Sequence, residues 1–206
     1  MTSPQIETAR LDAQSEPTRL DAQMAFLMEA DRLKAITRAT RNHDGRFENS
    51  AEHSWHLALF ALVLGEHAPE GISVERVIRM LLIHDLVEID AGDAPFFGEV
   101  DEAAKEAEET AAAERLFGLL PDPQGAELLA LWHEFEANET PDARFAKSLD
   151  RFQPPNLNLA SGGGSWDDYN VTHEVFEARM GPRIRHGAPA LWDWLAPRVK
   201  AFFARR

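Results

Sequence analysis

Apolar residues recur along most of this chain at helical intervals, beginning with Phe26, Leu27, Ala30, Leu33 and Ile36. A polar stretch follows, from Thr40 to Asn49. Ser50 then stands as an N-cap before Leu57, Phe60, Ala61 and Leu64, which share one face until Pro69 and Gly71 stop the helix. Ser73 caps the next helix, whose face of Val77, Ile78, Leu81 and Leu82 runs on into His84, Asp85 and Glu88 before Gly92 and Pro95. Residues 99–118, rich in Ala and Glu, predict a long helix exposed on one side. Residues 126–137 predict another. Thr140 and Pro141 supply a cap and first-turn pair for a helix running past Asp150, which Pro154 and Pro155 should kink or end. The segment Ser161-Gly-Gly-Gly-Ser165 reads as a flexible loop, and the tryptophan-rich residues 188–203 as a helix packing on the same core. No run combines sustained alternation with β-branched residues, so an all-α fold without a sheet is expected.

With 206 residues, one domain with a substantial core is expected. Residues 1–20 read as a flexible tail and 21–206 as the domain. Neither a secretory pattern nor an apolar run long enough to span a bilayer occurs, which predicts a cytoplasmic protein with no membrane partner. The formal charge of -14, from 35 acidic and 21 basic residues, opposes binding of long nucleic acids, whose phosphates require neutralisation. Small phosphorylated molecules stay possible, because a metal and two or three arginines can reverse the field inside a cleft. There is no cysteine, so His and carboxylates are the only strong metal ligands available.

The chemistry concentrates where charges interrupt an apolar helix face. His84, Asp85 and Glu88 converge there by helical spacing, and a carboxylate buried without a partner costs several kcal/mol or takes up a proton. A cation or an ionic partner is required. His53, one turn before Leu57, and Asp150, beside Leu149, could each reach the same core. Taken singly, each also fits a structural role, so spacing alone leaves metal binding and a purely structural cluster both open.

Glu48-Asn-Ser-Ala-Glu-His53, Ile83-His-Asp-Leu-Val-Glu88, Gly92-Asp93 and Leu149-Asp150, in the order H…HD…D, together resemble the HD-domain phosphohydrolase superfamily. Over residues 32–150 the chain is most similar to the 5′-deoxynucleotidase branch and related HD-domain hydrolases. The resemblance implies a compact helical HD fold and one divalent metal ion (Mn, Co, Fe, Zn, Ni or Mg) at His53, His84, Asp85 and Asp150. It implies proton transfer for Glu88, orientation of water or service to the leaving oxygen for Asp93, and phosphate binding for Arg38, with Arg46 at a second basic position. A homodimer is the family expectation. Ala39 stands where the deoxynucleotidase branch has a tryptophan, which leaves the choice between ribose and deoxyribose open.

The activity so implied is hydrolysis of nucleoside 5′-monophosphates by a metal-activated water. Two other classes compete with it. One is a nucleotide-sensing module that binds metal without turnover, and the other is two-iron oxygen chemistry with His56 or His133 as an extra ligand. Within hydrolases, phosphodiesterase and pyrophosphohydrolase activities are alternatives. His56 reads as a core or supporting histidine beside Trp55, and His133 as a surface or packing residue.

Overall fold

The computed structural model describes residues 18–98 and 101–206. Most of the tail expected over residues 1–20 lies outside them. Thr18 caps α1 (Arg19–Ala30) through a capping box with Asp21. The run that predicts a helix to Ile36 tightens into a 3-10 turn at Asp31–Ala35, and only Phe26 and Leu33 of its apolar residues are buried.

The first departure from expectation is a small antiparallel hairpin, β1 (Thr37–Arg41) and β2 (Phe47–Asn49). Its turn is closed by Asn42 N–H donating to Arg46 O at 2.9 Å and Gly45 N–H donating to Asn42 O at 3.1 Å, with Gly45 at φ 84°. Two strands of five and three residues with one buried side chain each, Thr40 and Glu48, carry no apolar alternation. Periodicity therefore cannot reveal them.

The backbone then enters α2 (Ser50–Leu64). Its N-cap is Asn49, one residue earlier than expected: Asn49 accepts from Glu52 N–H and Glu52 reaches back in a capping box. Ser50 is thereby released to point inward. Leu57 and Ala61 are fully buried, as their spacing predicts, and Phe60 and Leu64 pack against the same cluster. α3 (Val74–Ile83), capped by Ser73, lies against α2 and α7.

The principal core joins α2, α3, α6 (Gln124–Ala137), α7 (Pro141–Ala160), α9 (His173–Gly187) and α10 (Pro189–Phe203). A second cluster holds Phe26, Leu33, Leu86, Val87, Ile89, Trp132 and the inner face of α5 (Glu102–Phe117). The helix of α3 gives its face to the first cluster. A 3-10 turn at His84–Val87, continued by α4 (Glu88–Ala91), then delivers Leu86, Val87 and Ile89 to the second. The change of pitch re-aims the chain between two cores. His84 and Asp85 sit at that seam, and Trp132 Nε1 donates to His84 O at 3.1 Å to hold it.

Two other expectations are corrected. Pro154 and Pro155 do not end α7, which runs through them to Ala160: burial of Phe152, Gln153, Pro155 and Asn158 on both sides of the prolines outweighs the backbone bonds that they forgo. The glycine segment is a fixed turn, because Asn158 Oδ1 accepts from Ser165 N–H at 3.1 Å and Asn158 O from Gly163 N–H at 2.8 Å. It leads into α8 (Ser165–Asp168). α9 meets α7 so closely at Gly187 that an added Cβ would lie 2.1 Å from Arg144 O. Among the described residues no helix is long and apolar enough to cross a membrane.

Candidate metal centre

Six separate elements deliver ionisable side chains to the seam. β1 contributes Arg38, β2 Glu48, α2 His53, the 3-10 turn and α4 His84, Asp85 and Glu88, and the middle of α7 Asp150. Gly92, at φ 74°, ends α4 and turns the chain so that Asp93 joins them. His53 is fully buried, and His84, Glu88 and Asp150 nearly so.

His53, His84 and Asp150 each present a ligand atom within 4.8 Å of the others. His53 Nε2 lies 2.9 Å from Asp150 Oδ1 and 4.0 Å from Asp85 Oδ2. His84 Nε2 lies 3.0 Å from Asp85 Oδ1 and 3.9 Å from Asp150 Oδ1. His84 Nδ1 is 2.9 Å from Leu81 O, and a carbonyl only accepts, so Nδ1 carries a proton and, when the ring is neutral, the lone pair is on Nε2. That lone pair faces two carboxylates, and among the described residues Nε2 has no hydrogen-bond partner. Acceptors facing acceptors in a buried site are satisfied by a proton on the ring or by a cation between them. Two imidazoles and two carboxylates suit a divalent ion of intermediate hardness, so the donor set fits a metal.

The titration directions reflect the same crowding. Burial pulls His84 down, but Asp85 and Asp150 outweigh it and the net shift is upward. Burial and Arg38 oppose protonation of His53, and the bonds to Asp150 and Glu48 reverse the balance. Burial pushes Asp85 upward, while His84 and Arg38 hold it below the ordinary carboxylate range. Asp150 is likewise held down by Arg151, His53 and His84 against its burial. Glu88 goes the other way, because burial and then Asp85 push it well above its ordinary value. Burial, with Asp85, also raises Asp93.

Arg38 ties the acidic side of the site together. Its Nη1 lies 2.8 Å from Asp85 Oδ2, 3.4 Å from Glu88 Oε1 and 3.5 Å from Asp93 Oδ1. Arg46 is not brought there; it is exposed and paired with both carboxylate oxygens of Glu52 at 2.8 and 3.1 Å. His133 is exposed on α6, and His56 accepts from Gln153 Nε2 at 3.1 Å as a supporting residue.

Sequence reasoning gave three neighbours no part in the site's chemistry. Ser50 Oγ donates to Glu88 Oε2, a contact that depends on the cap falling at Asn49. Glu48 Oε2 lies 3.3 Å from His53 Nδ1, and its Oε1 accepts from Gln153 Nε2 at 2.8 Å. The signal for Glu48 was its place five residues before His53, at the head of the motif Glu48-Asn-Ser-Ala-Glu-His53. Arg151 Nη1, 3.6 Å from Asp150 Oδ2, had no signal beyond adjacency. Arg38, His84, Asp85, Glu88, Asp93 and Asp150 line a cleft of about 200 Å³, and Ala39 lines a neighbouring recess of about 60 Å³ with Pro95, Phe97, Trp166 and Tyr169.

A family model described as HD domain matches residues 30–192. The chain belongs to the HD-domain family. This HD domain is 30% identical over 130 residues to a bovine protein and 28% identical to a human one, both named 5'-deoxynucleotidase HDDC2. In each case the aligned region covers 62% of this chain and 62% of the relative, so the chain spans less than two thirds of those proteins. A crystal structure described as a predicted metal-dependent phosphohydrolase from Magnetospirillum magnetotacticum superposes with a TM-score of 0.85 at 50% identity, covering 91% of this chain and 94% of that one. The PH0347 protein from Pyrococcus horikoshii shares the fold at a TM-score of 0.61 and 19% identity, over 87% and 99% of the two chains.

Proposed function

We propose that this HD-domain protein is a metal-dependent phosphohydrolase, and specifically a phosphomonoesterase acting on nucleoside 5′-monophosphates. The observation that carries the proposal is the unpartnered Nε2 of His84, buried and facing Asp85 and Asp150 beside His53. His53, His84, Asp85 and Asp150 would hold one divalent ion, which supplies Lewis-acid charge and a more acidic water.

The chain's own groups perform the rest. Arg38 offers a planar fork at the mouth of the acidic cluster and would grip two phosphoryl oxygens. Glu88, with its affinity for a proton raised by burial and by Asp85, can carry a proton and exchange it with a reacting oxygen, while Ser50 Oγ fixes its Oε2. Asp93, beside Arg38, would orient water or serve the leaving oxygen. Glu48 would hold the His53 ring from its far side. Ala39 lines a small recess walled by aromatic residues and proline, and the relatives named 5'-deoxynucleotidase favour a nucleoside as the organic part of the ester.

We assign residues 21–206 to one HD domain, since Leu195 and Val199 near the C-terminus bury into the principal core. The homodimer expected for the family is assigned to the exposed apolar stripe Trp55, Leu59, Leu62 and Val63 of α2, which continues onto Trp194.

The deciding experiment measures phosphate release from a panel of ribo- and deoxyribonucleoside 5′-monophosphates with Mn, Co or Mg, before and after chelation. Metal-dependent release is expected. Tight nucleotide binding with no release from any ester would instead assign the chain to the sensing class.

A further inference from the structure

The cleft beside the metal centre carries positive charge that hydrolysis of a single phosphate does not use. Arg151, Arg179 and Arg183 all bring their guanidinium groups over one ring, that of Phe96, at 4.9, 4.9 and 5.1 Å from its centroid. Arg179 is anchored by donating to Phe96 O at 2.7 Å, and Arg183 by donating to Arg179 O at 2.7 Å. The backbone and the ring thus hold like charges together.

The same cleft contains two lysines, and each has an acidic partner, Lys105 with Glu109 at 3.1 Å and Lys147 with Glu136 at 2.8 Å. Among the described residues Arg179 and Arg183 have none within 4.0 Å, and Arg151 has only Asp150 at 3.6 Å. Arg183 is shifted downward by partial burial and then by Arg151 and Arg179, with Glu102 opposing at longer range. In a chain of net charge -14, guanidinium groups without acidic partners in the same cleft as Arg38 attract an anion.

We propose that Arg151, Arg179 and Arg183 form a binding site for a second phosphate on the substrate, so that the preferred ester carries two phosphates. The inference rests on the phosphohydrolase reading, which places the reacting phosphate at Arg38. Arg151 joins the two sites, because it touches Asp150 on one side and Phe96 on the other. A nucleoside 5′-diphosphate and a 3′,5′-bisphosphate each carry the two phosphates that the cleft would take.

The test uses full-length, metal-loaded protein freed of excess metal. Inorganic phosphate and inorganic pyrophosphate are titrated by calorimetry, with retained metal checked by elemental analysis. Pyrophosphate should bind at least about tenfold more tightly, as expected for charge-assisted bonds to an added phosphate, and the R179Q/R183Q variant should lose that preference. In parallel, kcat/KM is compared for nucleoside 5′-monophosphates, 5′-diphosphates and 3′,5′-bisphosphates. The ratio favouring one doubly phosphorylated class should collapse in the same variant, mainly through KM, and which class it is identifies the second phosphate.

Equal affinities for the two anions, or a preference that survives in R179Q/R183Q, overturns the inference while leaving monoester hydrolysis intact. Absence of turnover with every ester overturns the phosphohydrolase reading, and the calorimetric comparison still decides the arginine site. Both side chains are exposed, so the variant should fold; an unchanged thermal midpoint checks this, and R179K/R183K should restore part of the preference.

Discussion

Replacing Arg38 with methionine keeps much of the side chain's length and removes its charge. The guanidinium is 11% exposed and faces Asp85 at 2.8 Å, Glu88 at 3.4 Å, Asp93 at 3.5 Å and Glu48 at 3.9 Å. A pair of unit charges at such separations is worth about 4 kcal/mol gross in a partly screened protein site. Desolvation offsets much of that while the pair exists, whereas removing one member leaves the others buried without a counterion, which costs about 3–5 kcal/mol. Glu88 and Asp93 are already pushed upward by burial and can take up protons to relieve the loss. The lower end, about 3 kcal/mol, is therefore expected in chelated protein, equivalent to about 6–12 °C in Tm for a domain of this size. Saturating Mn or Co should recover part of the loss, because a divalent ion at His53, His84, Asp85 and Asp150 supplies positive charge to the same carboxylates. Urea denaturation of wild type and Arg38→Met, with chelator and with metal, measures both quantities. A chelated-state loss below about 1 kcal/mol, or one that metal leaves untouched, would refute the electrostatic account of the site.

Three further outcomes follow from the same geometry. His84→Ala and Asp150→Asn should each weaken metal binding by more than about 100-fold, read as metal retained after dialysis, with phosphate release falling in parallel. Gly187→Ala puts a methyl group against Arg144 O and should destabilise the protein by about 1–3 kcal/mol through displacement of α9 from α7, measured by thermal denaturation; an unchanged Tm would mean that the helices separate freely. Leu62→Lys, on the exposed stripe of α2, should convert the proposed dimer to monomer in sedimentation without loss of helical content, and a wild type that sediments as monomer at high concentration contradicts the assignment.

Much of the helical framework was legible in the chain. Ser73, Thr140 and Pro141 mark helix starts by local chemistry, and Leu57, Ala61, Val77 and Leu81 repeat at the helical period and are fully buried. The intrusion of His84, Asp85 and Glu88 on an apolar run was visible too, although the structure carries them on a 3-10 turn and α4 and not on a continuation of α3. Each of these signals lies within one or two turns of helix, where sequence distance and spatial distance are proportional.

Features set by distant partners were not legible. The hairpin carrying Arg38 has no apolar alternation, and Pro154 and Pro155 continue a helix because of what packs around them. Arg46 and Arg38 are both basic positions ahead of His53, yet the turn at Asn42–Gly45 sends one to Glu52 in solvent and the other among four carboxylates, two of them buried. Ser50 reaches Glu88 across 38 positions, and His53 reaches Asp150 across 97. Residue type and local spacing decided which groups could bind a metal; the packing of α2, α3 and α7 around two cores decided which of them meet.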